Sequence, residues 1–368
     1  MMRHELLTCL TGMSILLVGA CGRHPDLELD LTKLNFIESN DVFTNGLTAN
    51  GLTANGLTAN GLTANGLTAN GLTANGSGAS TVDPTQLRLN DLGSISLASL
   101  TLSGSPIELA TLNGSTIEGK QRELLLTGTD LIGARMNATL LDGTPIPLQI
   151  EDVQVRNGVT FYSIALLTDL GPLAMCGTAG DAPIPALAVT GYWDKSATYV
   201  HDTARFTFGC VNAAIGKCAR WGYQPWATGQ ECRNNSCKTR ALSDWHRACV
   251  RLVRADYCGD GIAHTRAGTF INIYDQLNIQ QSSSPGWELE AEWGQDGGSC
   301  ISHTRWVKAN NLWTETDLEY VQTHCPDRLA STKPAQCDLS HSTYNTQFGF
   351  NKSDSERPLL RNESPQYQ

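Results

Sequence analysis

Met136-Asn137-Ala138-Thr139-Leu140-Leu141-Asp142-Gly143-Thr144-Pro145-Ile146-Pro147-Leu148-Gln149-Ile150 reads as two extended arms around an Asp-Gly pair. Asp-Gly accepts the positive φ values that a tight hairpin turn demands, so the stretch predicts a β-hairpin. Working outward, residues 159–167, 204–208, 270–274 and 287–293 carry strand-like patterns of apolar and β-branched side chains. Helices enter as short insertions. One is expected over 212–220, stopping at Gly222. A second is capped by Ser243 and aligns Trp245, Cys249, Leu252 and Val253 on one face. A third opens at Thr314-x-x-Asp317 and aligns Leu318, Val321 and Cys325. The expected fold class is mainly β with short helices (α+β). A disulfide-rich C-terminal domain follows a segment of five-residue period.

That period is the second feature. Asn-Gly-Leu-Thr-Ala occurs six times in succession from Asn45 to Ala74. Its phase runs on through Leu87, Leu92, Leu97, Leu102, Ile107, Leu112 and Ile117, then slips by one to Leu126, Leu131, Met136, Leu141 and Ile146. Five matches neither the helical 3.6 nor the strand's 2, but it suits a solenoid with one inward side chain per short face. Residues 82–130 are therefore expected as a solenoid-like β segment. The identical copies over 45–76 are expected as a flexible stalk, because recurrent Asn-Gly favours turns and is entropically costly to order.

The N-terminus predicts export. A mostly apolar stretch over 6–20 ends in Val18-Gly19-Ala20-Cys21-Gly22. It is shorter than the roughly 20 residues a membrane span needs, but suits a signal-peptide core. Small residues before Cys21 fit a lipoprotein signal peptidase, with diacylglycerol on the Cys21 thiol. The organisation expected is a signal peptide over 1–20, an acidic spacer over 21–44, the repeats, the solenoid-like segment, and a domain over 131–368. The location expected is the bacterial cell envelope, at the outer membrane or cell surface.

Twelve cysteines include Cys9 and Cys21; the other ten are Cys176, Cys210, Cys218, Cys232, Cys237, Cys249, Cys258, Cys300, Cys325 and Cys337. An even set confined to residues 176–337 of an exported chain reads as up to five disulfides, with the pairing open. Cys232-x4-Cys237 lacks the matching second pair of a zinc site, so no metal and no cofactor is expected. The net charge of −10 comes without any basic run, which leaves no electrostatic footprint for nucleic acid.

Arg254-Ala255-Asp256-Tyr257-Cys258-Gly259-Asp260-Gly261, then His264-Thr265 and Gly268-Thr269, resembles the signature of the ADYC domain. Gly191-Tyr192-Trp193-Asp194, Phe206-Thr207-Phe208-Gly209-Cys210, Lys217-Cys218 and Trp221-Gly222-Tyr223-Gln224-Pro225-Trp226 resemble further parts of that pattern in the family's order. The likeness covers roughly 131–340. It implies a bacterial lipoprotein with short N-terminal repeats, and it brings no activity with it.

Candidate chemistry centres on Asp256, Asp260 and His264. A calcium loop fails, because Cys258 and Ala267 stand where oxygen ligands belong. Two carboxylates and a histidine could serve a hydrolase of envelope or extracellular polymers. The plainer reading has Asp256 capping or salt-bridged near Arg254, Gly259 and Gly261 in a tight turn, and Cys258 in a disulfide. Trp221, Tyr223 and Trp226 are candidate binding aromatics for an envelope protein or glycan. A lipid-anchored structural or binding protein ranks ahead of the hydrolase.

Overall fold

The computed structural model describes residues 62–63, 92–140, 145–168, 171–179, 182–194, 196–233, 236–265, 270–281, 287–305, 317–330 and 358–364. The hairpin that opened the reading is present. Arg135–Leu140 runs antiparallel to Pro145–Arg156, with Ala138 opposite Ile146 and Met136 opposite Leu148. Ile146, Leu148 and Ile150 are buried while Pro145 and Pro147 face outward, the alternation a half-buried strand requires. Its Asp142-Gly143 turn lies outside the described residues.

The hairpin belongs to a nine-stranded antiparallel sheet. Its order is Gly171–Ala174, Val159–Thr168, Ala186–Thr190, Arg205–Cys210, Leu92–Ser96, Arg135–Leu140, Thr101–Leu102 and Ser105–Pro106, with Pro145–Arg156 pairing both Val159–Thr168 and Arg135–Leu140. One core lies on this sheet and includes Ile95, Leu100, Met136, Tyr162, Phe206 and Phe208.

The solenoid expectation is corrected here. Glu108–Asn113, Thr116–Gln121 and Leu124–Thr127 form an antiparallel meander, and Leu92–Ser96 sits inside the large sheet between strands from 135 and 205 onward. The division at 130/131 therefore does not separate two units. The five-residue phase nevertheless marks inward positions: Leu97, Ile107, Ile117, Leu126, Leu131, Met136 and Ile146 are all buried. Tight turns at positive φ (Gly114 at 62°, Arg122 at 56°) reverse the chain, so successive inward residues come from adjoining antiparallel strands instead of stacked coils. Three bonds fasten the meander to the sheet: Ile117 N–H to the Tyr162 hydroxyl at 2.8 Å, Thr160 N–H to the Ser115 hydroxyl at 2.8 Å, and Thr116 to Thr160 at 2.6 Å.

A second, five-stranded sheet has the order Leu62–Thr63, Phe270–Asp275, Leu360–Ser364, Glu288–Gly294 and Gly297–Ile301. One repeat unit thus contributes a strand, where a stalk alone was expected; the other copies lie outside the described residues. Against this sheet packs α2 (Ser243–Arg254); α1 (Ala214–Arg220) packs on α2 and on the strand Arg205–Cys210 of the large sheet, and α3 (Asp317–His324) places Val321 in the same core as α2. Ser243 is the first helical residue and not the cap; Leu242 occupies the cap position without a side-chain bond. The aligned face is as expected, with Trp245, Cys249, Leu252 and Val253 buried in the second core beside Ile271, Trp293 and Ile301. Thr314 lies outside the described residues.

Among the described residues, four disulfides join Cys176 to Cys210, Cys218 to Cys249, Cys232 to Cys237 and Cys258 to Cys325. Cys218–Cys249 ties α1 to α2, and Cys232–Cys237 spans directly opposed residues of the hairpin Thr228–Arg233/Ser236–Ala241. Cys300 is also disulfide-bonded; Cys337 lies outside the described residues.

Candidate functional site

The signature octet begins where α2 ends. Ala255 takes φ 51°, a left-handed cap that turns the chain away from the helix axis. Two arginines then meet the turn. The Arg251 guanidinium pairs with the Asp256 carboxylate and also donates to the carbonyls of Ser196 at 3.0 Å and Gln295 at 3.3 Å. Asp256 is wholly buried and accepts the Gly261 N–H at 3.1 Å as well. A buried carboxylate this well satisfied is a structural tie; removing either partner would strand a charge in the interior. The expected partner was Arg254, but the helix presents Arg251. Arg254 donates instead to the Gly261 carbonyl, and burial lowers its pKa to about 10.

Tyr257 is equally fixed. Its ring stacks on Trp293 at 5.4 Å between centroids, its hydroxyl donates to Glu290 at 3.0 Å, and the same oxygen accepts the Arg305 N–H at 2.9 Å. Burial, with the Glu290 charge, pushes its pKa well above the ordinary tyrosine value, so it stays protonated. Fully buried Arg305 pairs with Glu290 at 2.8 Å and donates to the Leu252 and Val253 carbonyls, neutralising the last turn of α2. Cys258 holds Cys325 just beyond α3. Gly259 has φ 73°, and a Cβ there would lie 1.9 Å from the Asp296 carbonyl oxygen. Only glycine fits.

Asp260 and His264 face α3 instead. Asp260 accepts the Tyr320 hydroxyl at 2.7 Å and the Ile262 N–H at 2.9 Å. His264 Nδ1 lies 3.3 Å from an Asp317 oxygen, and its ring sits 4.5 Å from that of Tyr320. The structure thus gathers Asp260 and His264 around Tyr320, with Asp256 drawn to Arg251. The convergence that the hydrolase reading needs is not made. Among the described residues no group of three His, Cys, Asp or Glu side chains is placed to hold a metal ion.

The candidate binding aromatics divide in the same way. Trp221 and Tyr223 are buried, the latter donating its hydroxyl to Asp275 at 2.7 Å. Asp275 in turn accepts the N–H groups of Leu277, Ile279 and Gln280, and burial raises its pKa above the usual carboxylate value. Trp226 is half-buried, with its indole against Gly114 of the meander. Trp221 and Tyr223 therefore serve packing, while Trp226 keeps part of its surface exposed.

Sequence reasoning missed a cavity of about 270 Å³ at the N-terminal end of α2, away from the signature's ties at its C-terminal end, lined by Glu231, Arg240, Asp244, Trp245 and Leu359 among others. Its walls are apolar at Trp245, Pro358 and Leu359. Its rim carries two ion pairs, Glu231–Arg240 at 2.7 Å and Asp244–Arg247 at 2.5 Å. Among the described residues the Trp245 indole N–H is buried without a hydrogen-bond partner. Residues from 231 to 359 meet here, so no local motif could have announced it.

Residues 128–307 match the family model of the ADYC domain. The chain carries an ADYC domain. Residues 39–63 and 51–76 match the GLTT repeat, in six copies. Comparison with the curated proteins and with the solved structures finds no match. The matched region holds the signature, both arginine ties and Cys258, yet Cys325, the Asp317/Tyr320 contacts and the strand Leu360–Ser364 lie beyond it. Leu92–Ser96 precedes it. The fold built around the ADYC domain is thus larger than the matched segment.

Proposed function

We propose that this chain is an envelope lipoprotein, anchored through Cys21, in which the ADYC domain is a disulfide-braced structural or binding module and not a catalytic one. The observation that carries the reading is the oxidised state of the cysteines. Bridges such as Cys258–Cys325 and Cys218–Cys249 belong to chains that fold outside the reducing cytoplasm. The run Val18-Gly19-Ala20-Cys21 supplies the matching export and lipidation signal. Asp256 and Tyr257 support the non-catalytic side, since their polar atoms are taken up by Arg251, Gly261, Glu290 and Arg305. A ligand of this module, whether an envelope protein segment or a glycan, would lie in the cavity beside Trp245, where an aromatic wall adjoins paired charges.

The test is fractionation of cells making the full chain and its Cys21→Ser variant. The parent is expected in the membrane fraction with a diacylglyceryl mass increment. The variant is expected in the soluble exported fraction without it. Unchanged membrane retention of the variant overturns the reading.

A further inference from the structure

The three-stranded meander has two edges, and they are built differently. Glu108–Asn113 forms one, broken by a bulge between Glu108 and Thr111 and carrying Leu109 at φ 51°. Leu124–Thr127 forms the other, and among the described residues its only strand partner is Thr116–Gln121, met in unbroken register. Edge strands are normally blunted by proline, charge, bulges or shortness. The large sheet follows that rule, since Gly171–Ala174 carries Pro172 and Ser105–Pro106 is two residues long. Leu124-Leu125-Leu126-Thr127 has none of these devices. Leu124 is 65% exposed and Leu125 57%.

The backbone of this edge can be oriented residue by residue. The Thr127 N–H donates to the Asp130 carboxylate at 3.3 Å, so it points away from Thr116–Gln121. Neighbouring residues of a strand send their N–H and C=O groups to opposite flanks. Leu124 and Leu126 therefore bond toward Gln121 and Gly119, and the N–H and C=O of Leu125 face the open flank. Asp130 closes one end of the edge, and the turn at Arg122, with φ 56°, leads the chain away at the other. Leu125 is left with a donor and an acceptor side by side. That is one half of a hydrogen-bonded antiparallel pair, and an identical residue completes it.

We propose that this edge is a self-association surface, on which a second copy of the chain pairs antiparallel with Leu125 opposite Leu125. Opposed residues share a face, so Leu124 then lies opposite Leu126 of the second copy. Within each meander Glu108 is opposite Lys120 and Lys120 opposite Leu125, which pairs the two charges and leaves leucine at the axis. The same register brings Arg122 of each copy beside the 128–131 turn of the other, which carries Asp130. The twofold axis makes that complementary pair occur twice. Three strands from each copy become one continuous sheet. A four-residue edge makes a small interface, so the dimer is of the weak class, with a dissociation constant of about 1 μM or above. The inference needs neither lipid on Cys21 nor a ligand beside Trp245.

Sedimentation velocity of the oxidised Cys21→Ser chain in detergent-free buffer, from about 1 μM to about 1 mM, tests it together with amide exchange. A concentration-dependent dimer is expected. The Leu125 amide should exchange about tenfold more slowly at the top of that range than at the bottom, while the Leu126 amide hardly changes. Leu125→Lys sets two like charges at the axis and should weaken the dimer about tenfold or more, with thermal unfolding of the monomer unchanged because the side chain is exposed. Leu109→Lys, on the bulged edge, should leave the dimer within about twofold of the parent. A chain that stays monomeric throughout overturns the proposal, and its flotation with phosphatidylglycerol vesicles would assign the leucines to lipid instead. A dimer that Leu109→Lys weakens equally, or that leaves Leu125 exchange unchanged, uses another surface and overturns it as well.

Discussion

Replacing Cys258 and Cys325 together with alanine removes the bridge that closes the largest described loop, 67 residues. Loop-closure entropy puts its contribution at about 4 kcal/mol, against about 2 kcal/mol for the five-residue separation of Cys232–Cys237. The long bridge also fixes α3 against the signature turn, where Tyr320 meets Asp260 and Asp317 meets His264. The assay is equilibrium unfolding of the oxidised protein and the two double-alanine variants in guanidinium chloride. The Cys258/Cys325 variant is expected to show the steeper transition, because its denatured chain is freer to expand, so stability is taken as each variant's midpoint multiplied by its own slope. The loss for Cys258/Cys325 should be about twice that for Cys232/Cys237. Set against a typical total of about 5–15 kcal/mol, it is a large share of the whole. An equal or reversed order refutes the argument. It would mean that the denatured chain is already held together near residues 258 and 325, or that α3 contributes nothing to the fold.

Gly259→Ala forces a Cβ against the Asp296 carbonyl at left-handed φ, and is expected to cost more than about 2 kcal/mol in the same assay. A cost near that of an exposed Gly→Ala change would contradict the turn geometry. His246 is buried, hydrogen-bonded through Nε2 to the Ile215 carbonyl at 3.0 Å, and burial lowers its pKa to about 4. Its folded pKa lies below the unfolded value of about 6.5, so below that pH the unfolded chain takes up the proton more readily. Stability should therefore be full above pH 6.5 and fall by up to about 3 kcal/mol toward pH 4, and His246→Gln should remove that slope.

Period and turn chemistry made much of the sheet legible. Alternation over 145–150 and the Asp-Gly pair announced the hairpin, and the apolar face of α2 could be read from Trp245, Cys249, Leu252 and Val253. The five-residue phase identified inward residues, but a phase cannot say whether neighbours stack parallel or reverse. That choice lay in the turns at Gly114 and Arg122, which sequence patterning does not orient. The signature's aspartate was legible as a salt-bridging residue. Its true partner was not, because Arg251 and Arg254 lie on adjacent turns of one helix and tertiary packing alone decides which is presented. Trp221 and Tyr223 resembled a surface cluster, since nothing local shows that Gln280 and Asp275 wait to receive them.

The order of strands in the five-stranded sheet has a consequence for how the molecule is made. Phe270–Asp275 and Glu288–Gly294 leave any translating or translocating machinery first, yet Leu360–Ser364 must come to lie between them. Until it arrives, each of the two earlier strands shows an unpaired flank, while Cys258 and Cys325 are both already available for oxidation. Covalent closure can thus run ahead of sheet closure. In such a stapled but unzipped arrangement the flanks of Phe270–Asp275 and Glu288–Gly294 that Leu360–Ser364 covers would still be open to pairing.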